Sequence, residues 1–186
     1  MKSRIAISIL FVLMAATAFA ADAPAAQSDA QKAFDKLKSL SGSWEGRVTA
    51  IPPTTEMGDM GNALLEVTLR TTSRGNALVH DMKEAGKPDD PAQIDHPVTM
   101  FYLDGDRLLL THYCDAGNRP RMTGKISPDG KTVEFDFLDV SGGTQYGHMH
   151  HAIFTFIDAN HHIEDWTYMM PGDKPVRAHV DLQRTK

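Results

Sequence analysis

Nine histidines are spread through the 186 residues, and their spacing is the first chemical feature of the chain. In His148-Met149-His150-His151 two imidazoles stand two residues apart. On a strand, His148 and His150 share one face about 6–7 Å apart along the backbone, a spacing that suits two ligands of one ion. Zinc takes three or four nitrogen, sulfur or oxygen donors, and His112 is the third candidate. Cys114, the single cysteine, follows His112 by two residues. His112 could act as base to a Cys114 thiolate, but no oxyanion-hole motif accompanies the pair, and an inert buried thiol is the plainer reading. The same histidines could hold an isolated haem, with Met149, Met169 or Met170 nearby, although there is no haem-attachment motif. The alternative for all of them is a set of hydrogen-bonded polar residues lining the wet end of the fold.

No other motif points to a reaction. The chain has no G-x-S-x-G, P-loop or dinucleotide fingerprint. Asp104-Gly105-Asp106 and Asp158-Ala159-Asn160 lack the length and terminal Glu of a calcium loop, and hairpin turns account for them. With 19 basic and 24 acidic residues and a net charge of −5, no nucleic-acid-binding surface is advertised. The hydrophobic content of 41% and the single Cys exclude a disordered chain and a disulfide scaffold.

Lys2 and Arg4, the apolar run Ile5 to Phe19 and the A-x-A site Ala18-Phe19-Ala20 predict a signal peptide over residues 1–20. Residues 21–28 then read as a linker and 29–186 as one domain. Cleavage removes two basic and no acidic residues, taking the net charge from −5 to −7. No later segment could span a membrane, so the expected location is periplasmic or secreted.

The elements that must position these side chains follow from the periodicity. Ser28-Asp29-Ala30-Gln31 reads as a helix N-cap with a capping-box Gln. Ala30, Ala33, Phe34, Leu37 and Leu40 then recur at helical spacing as far as Gly42. Beyond Gly42 the period falls to two, and ten strands are predicted: Trp44–Ala50, Ala63–Thr72, Ala77–Lys83, Val98–Leu103, Arg107–Cys114, Arg119–Ile126, Thr132–Asp139, His148–Ile157, Ile163–Met170 and Val176–Arg184. Every second connection is a tight turn and the others are mostly longer. In a meander, alternate connections lie at opposite ends. The expected fold is therefore all-β, an antiparallel up-and-down barrel of about ten strands, with the short N-terminal helix plugging its closed end. The predicted interior is Val48, Leu65, Val67, Leu69, Met100, Tyr102, Leu108, Leu110, Met122, Val133, Phe135, Phe137, Phe154, Phe156 and Val180.

Gly42-Ser43-Trp44, at the start of the first strand after a short helix, resembles the G-x-W signature of the lipocalins and the wider calycin superfamily. That resemblance implies that Trp44 plugs the closed end and packs against an Arg near the end of the last strand, the place held here by Arg184. Ten strands look more like the fatty-acid-binding-protein and nitrobindin branches, the latter being haem-binding barrels. Thr111-His112-Tyr113-Cys114, Ala116-Gly117-Asn118 and Pro120-Arg121-Met122 are similar to an exported bacterial branch of such barrels.

The leading expectation is a cup for a small lipophilic or amphipathic molecule, with His112, Cys114 and His150 orienting a headgroup and Tyr102, Phe135 and Phe137 among the contacts. A second is a metal- or haem-binding barrel using His112, His148 and His150. A third is an envelope interaction module whose Met57-Gly58-Asp59-Met60 loop meets another protein.

Overall fold

The computed structural model describes residues 26–53, 61–90 and 92–185. The expected signal peptide and the Met57 to Met60 loop lie outside the described residues. Helix α1 (Asp29–Lys38) starts as its sequence requires: Ser28 is extended and its side chain accepts from the Gln31 N–H. The Gln31 side chain does not complete the capping box; it donates to Asp35 at 3.0 Å. No helix among the described residues is long and apolar enough to cross a membrane.

Ten strands follow: β1 (Gly42–Ile51), β2 (Leu64–Thr72), β3 (Ala77–Glu84), β4 (Val98–Asp104), β5 (Arg107–Tyr113), β6 (Arg119–Ile126), β7 (Thr132–Ser141), β8 (His148–Asp158), β9 (His161–Met170) and β10 (Lys174–Arg184). Each pairs antiparallel with its sequence neighbours, and β1 pairs with β10 to close the barrel. The tight turns lie at one end. There α1 buries Ala30, Ala33, Phe34 and Leu37 against β4, β5 and β6.

The closed half is solid. Phe101, Phe135 and Phe154 meet one another with ring centroids 5.4 to 6.0 Å apart, over the buried Leu108, Leu110 and Met122. These tilted and edge-on contacts are the favoured aromatic geometries.

Trp44 seals this end. Its indole N–H donates to the Leu40 carbonyl at 2.8 Å, and the Arg184 guanidinium lies 4.0 Å from its ring centroid. Trp44 and Arg184 are register partners, so the pairing that the G-x-W resemblance implies is present. Arg184 also donates to the carbonyls of Ser41 at 2.8 Å and Ala159 at 2.9 Å, tying the chain after α1 to the β8–β9 turn. Gly42 has φ +142°, a conformation open to glycine, which explains the first position of the motif. At Gly46 a Cβ would meet the Asp181 carbonyl oxygen at 2.0 Å, so only glycine allows β1 to approach β10 so closely.

One strand is turned over relative to the sequence expectation. Thr99 and Phe101 face inward, whereas Met100 and Tyr102 are on the outer face, where the Tyr102 hydroxyl lies 3.2 Å from that of Thr111. Both faces of β4 are apolar enough to pass for an interior. Pairing decides the matter: Phe101 stands opposite Leu110, and Thr99 opposite His112.

The closed end generates a prediction. Arg184→Ala should lower unfolding free energy by about 1–3 kcal/mol through loss of the ring contact and the carbonyl bonds. Arg184→Lys should recover only part, since an ammonium lacks the fork. Urea titration reads both, and full stability in the alanine variant would contradict the role.

Candidate functional site

Strand β9 carries an unusual inward face. His162, Glu164 and Trp166 are buried while Ile163 and Asp165 are less so. Their partners on β10 are Leu182, Val180 and Ala178. Glu164 is thus a carboxylate with no exposure to water. Such a group is costly unless donors surround it. His80 Nε2 lies 3.0 and 3.2 Å from its two oxygens. His162 Nε2 lies 3.0 Å from Oε1, and the Trp166 indole N–H donates to Oε2 at 2.9 Å. Burial alone would push the carboxyl pKa up, but the coulombic pull of His80 and the hydrogen bonds of both histidines hold it far below the ordinary range.

His80 reaches Glu164 across the inside of the barrel, from β3 to β9. It heads a polar row, because His80 pairs with Thr99 and Thr99 with His112 on three adjacent strands. Thr99 Oγ1 and His112 Nδ1 are 2.8 Å apart. His112 is buried, and burial reinforced by the neighbouring His80 lowers its pKa from 6.5 to about 3. It is therefore a neutral imidazole at any physiological pH. Its ring and that of Trp166 are 5.9 Å apart.

This row floors a cavity of about 710 Å³ that opens toward the long loops. The walls are apolar, with Val48, Leu65, Met82, Met149, Val176 and Val180. His80, Thr99, His112 and Trp166 form the polar base, and Lys83, Lys87, Asp95, Cys114 and Asp115 stand at the rim. His80 Nδ1 is buried with no hydrogen-bond partner.

The sequence-selected residues separate into groups. His112 is on the cavity floor and Cys114 at its rim. Burial pushes the Cys114 thiol pKa up, which disfavours the thiolate a nucleophile needs. Phe135 packs in the solid half beneath the floor. Phe137, His148 and His150 form a cluster of their own and do not line the cavity.

The expected metal set His112, His148 and His150 is therefore not brought together. Among the described residues, the trio of metal-ligating side chains that does converge is Glu134, Asp136 and His151, within 4.8 Å on the outer face. The reason is a β-bulge, since the β8–β9 register jumps from Met149 to His151. It turns Met149 to the cavity and leaves His150 outside the regular ladder.

His80, Glu164, His162 and Trp166 are not selected by sequence reasoning. The available signal is the run His162-x-Glu164-x-Trp166-x-Tyr168 on one face of β9. The opposite face, with His161, Ile163, Asp165 and Thr167, is no more polar.

No protein-family model matches the sequence, and no curated protein does. Among solved structures, the chain is similar to Rv2717c from M. tuberculosis, with a TM-score of 0.58 and 14% identity over 83% of this chain and 98% of that one. A protein with unknown function from the DUF3598 family of Nostoc punctiforme PCC 73102 aligns with a TM-score of 0.49 and 10% identity, over 80% of this chain and 49% of that one. The likeness to Rv2717c is one of fold.

The buried groups set an acid limit on stability. An imidazole whose pKa is depressed in the fold takes up its proton on unfolding, so acid favours the unfolded chain. For His112 the loss begins as pH falls below its ordinary value of 6.5 and runs down to about 3. Glu164, also depressed, adds a loss as pH falls below its ordinary 4.5. The melting temperature should thus fall steadily from pH 7 to pH 4, and His112→Gln should flatten the stretch above 4.5. An identical pH profile in the variant would contradict burial of a neutral His112.

Proposed function

We propose that this chain is an exported, lipocalin-like barrel of the calycin type that carries a small amphipathic molecule. The observation behind the reading is the cavity: about 710 Å³, within the usual range of small-molecule sites, with apolar walls and a few convergent polar groups at its base. An aliphatic or aromatic body would lie against Val48, Leu65, Met149 and Val180. The headgroup would meet His112 on the cavity floor, where its Nδ1 is engaged by the Thr99 hydroxyl. The periplasmic location rests on the signal-peptide pattern of residues 1–20.

Haem is the second occupant that a specific observation favours. Its iron takes an axial ligand, often a histidine nitrogen, and His112 offers a neutral imidazole oriented through Nδ1 by the Thr99 hydroxyl, as second-shell partners of iron ligands do. A resident zinc ion fits the cavity less well, because it takes three or four donors and His148 and His150 do not join His112 there. Bound there, haem would supply gas-binding or redox chemistry, and the residues' part would be to hold it and exclude water.

Trp166 lines the cavity and Trp44 does not, so fluorescence separates them. A brominated medium-chain fatty acid should quench wild type and Trp44→Phe saturably but leave Trp166→Phe unquenched. Ala178→Phe, which fills the cavity, should weaken binding roughly tenfold or more. Quenching that never saturates, or that survives in Ala178→Phe, would overturn the reading. A Soret band on hemin titration, lost in His112→Ala, would replace it with the haem reading.

A further inference from the structure

The outer face of the barrel carries a second chemical cluster. Glu134 and Asp136 stand two residues apart on β7 and so point the same way. His151, on β8, is the register partner of Asp136, and the irregularity after Met149 sets its parity. One ligating atom from each of the three lies within 4.8 Å of the other two. His151 Nε2 is 3.1 Å from Glu134 Oε1 and 3.6 Å from Asp136 Oδ1. Donors held about 2.0–2.2 Å from one zinc-type ion stand about 2.8–3.6 Å apart, so both separations fit a shared ion.

A hydrogen bond does not account for the whole arrangement. One N–H serves Glu134, whereas Asp136 Oδ1 at 3.6 Å is beyond hydrogen-bond range and supplies a donor atom that the proton leaves unused. Nor does Lys125 take the place of an ion. Its Nζ lies 3.4 Å from Glu134 Oε2 and 3.0 Å from Asp136 Oδ2, the other oxygen of each carboxylate. It offsets one of the two negative charges and leaves Oε1, Oδ1 and Nε2 to one another.

The place in the fold gives an ion a task. The β7–β8 ladder runs from Thr132↔Thr155 only as far as Asp136↔His151. Beyond it β7 stays paired with β6 up to Ser141, and β8 stays paired with β9 back to His148. The two strands thus part company just past the trio.

We propose that Glu134, Asp136 and His151, with water completing the shell, bind a first-row divalent cation of the zinc type that staples β7 to β8 at the last rung of their ladder. Imidazole and carboxylate donors suit such an ion, and three protein donors leave a position for water. His151 binds through the Nε2 lone pair and keeps its proton on Nδ1. The site is on the outside of the wall and does not depend on what the cavity holds.

The test is calorimetric titration of Zn²⁺ into the chelator-treated full chain, followed by hydrogen exchange with and without the metal. The expected result is one equivalent bound, a melting temperature raised by zinc, and slower exchange in residues 132–136 and 151–155. Binding should weaken at least roughly tenfold in His151→Ala and in Asp136→Asn. Lys125→Met, which removes a competing cation, should bind more tightly. The His148→Ala/His150→Ala double variant should bind as wild type does. Full-strength binding in His151→Ala/Asp136→Asn, or loss of binding in the His148/His150 variant instead, would overturn the site. Binding that leaves exchange in β7 and β8 unchanged would overturn the staple. Absence of binding to the wild type would overturn both, and would leave the fatty-acid quenching experiment untouched.

Discussion

The buried carboxylate of Glu164 is the constraint on which the rest of the interior depends. A carboxylate without water must be met by donors, and here three side chains supply them: His80 from β3 and His162 and Trp166 from β9 itself. Because His80 reaches across the barrel, satisfying the charge also fixes the distance between opposite walls. The same bonds orient Trp166 and His80 as the base of the cavity. Removing either partner would leave a charge or a donor stranded in a dry interior, which is more damaging than the net worth of the pair.

Above and below that polar plane the barrel behaves differently. Below it, α1 and the phenylalanine cluster fill the closed half, and the line continues through His162, edge-on to Trp44 at 4.2 Å, to the Arg184 cap. Above it, smaller Val and Leu side chains leave room, as a barrel of this strand number requires when its inward residues do not span the diameter. The network is a partition between a packed floor and an open cup. The function proposed for the chain needs both.

Much of this architecture is legible in the sequence, for identifiable reasons. The clean alternation in β1, β7 and β10, the tight Asp-Gly and Ser-Pro-Asp-Gly turns and the stripe on α1 are local signals, and they place every strand and both ends. Trp44 and Arg184 are 140 residues apart in sequence yet predictable as neighbours, since the first and last strands of a closed meander must meet. The site is less legible because its parts are non-local. His80 and Glu164 are 84 residues apart, and neither lies on a strand whose inward face is obvious. On β4 both faces are apolar, so Tyr102 reads as lining and is not. The bulges between Arg121 and Met122 and between Met149 and His151 shift parity in mid-strand, which no alternation rule anticipates. Periodicity points Val48, Leu65, His112, Cys114 and Val180 into the cup, and all five line the cavity.

The central claim is that the upper half of the barrel is built to be occupied, and native mass spectrometry of the full chain purified gently from cells tests it most directly. The account predicts a discrete added mass that denaturation releases and that is missing from Ala178→Phe prepared in the same way. Bare protein alone, in wild type and variant alike, both as purified and after incubation with the fatty-acid probe, would contradict it.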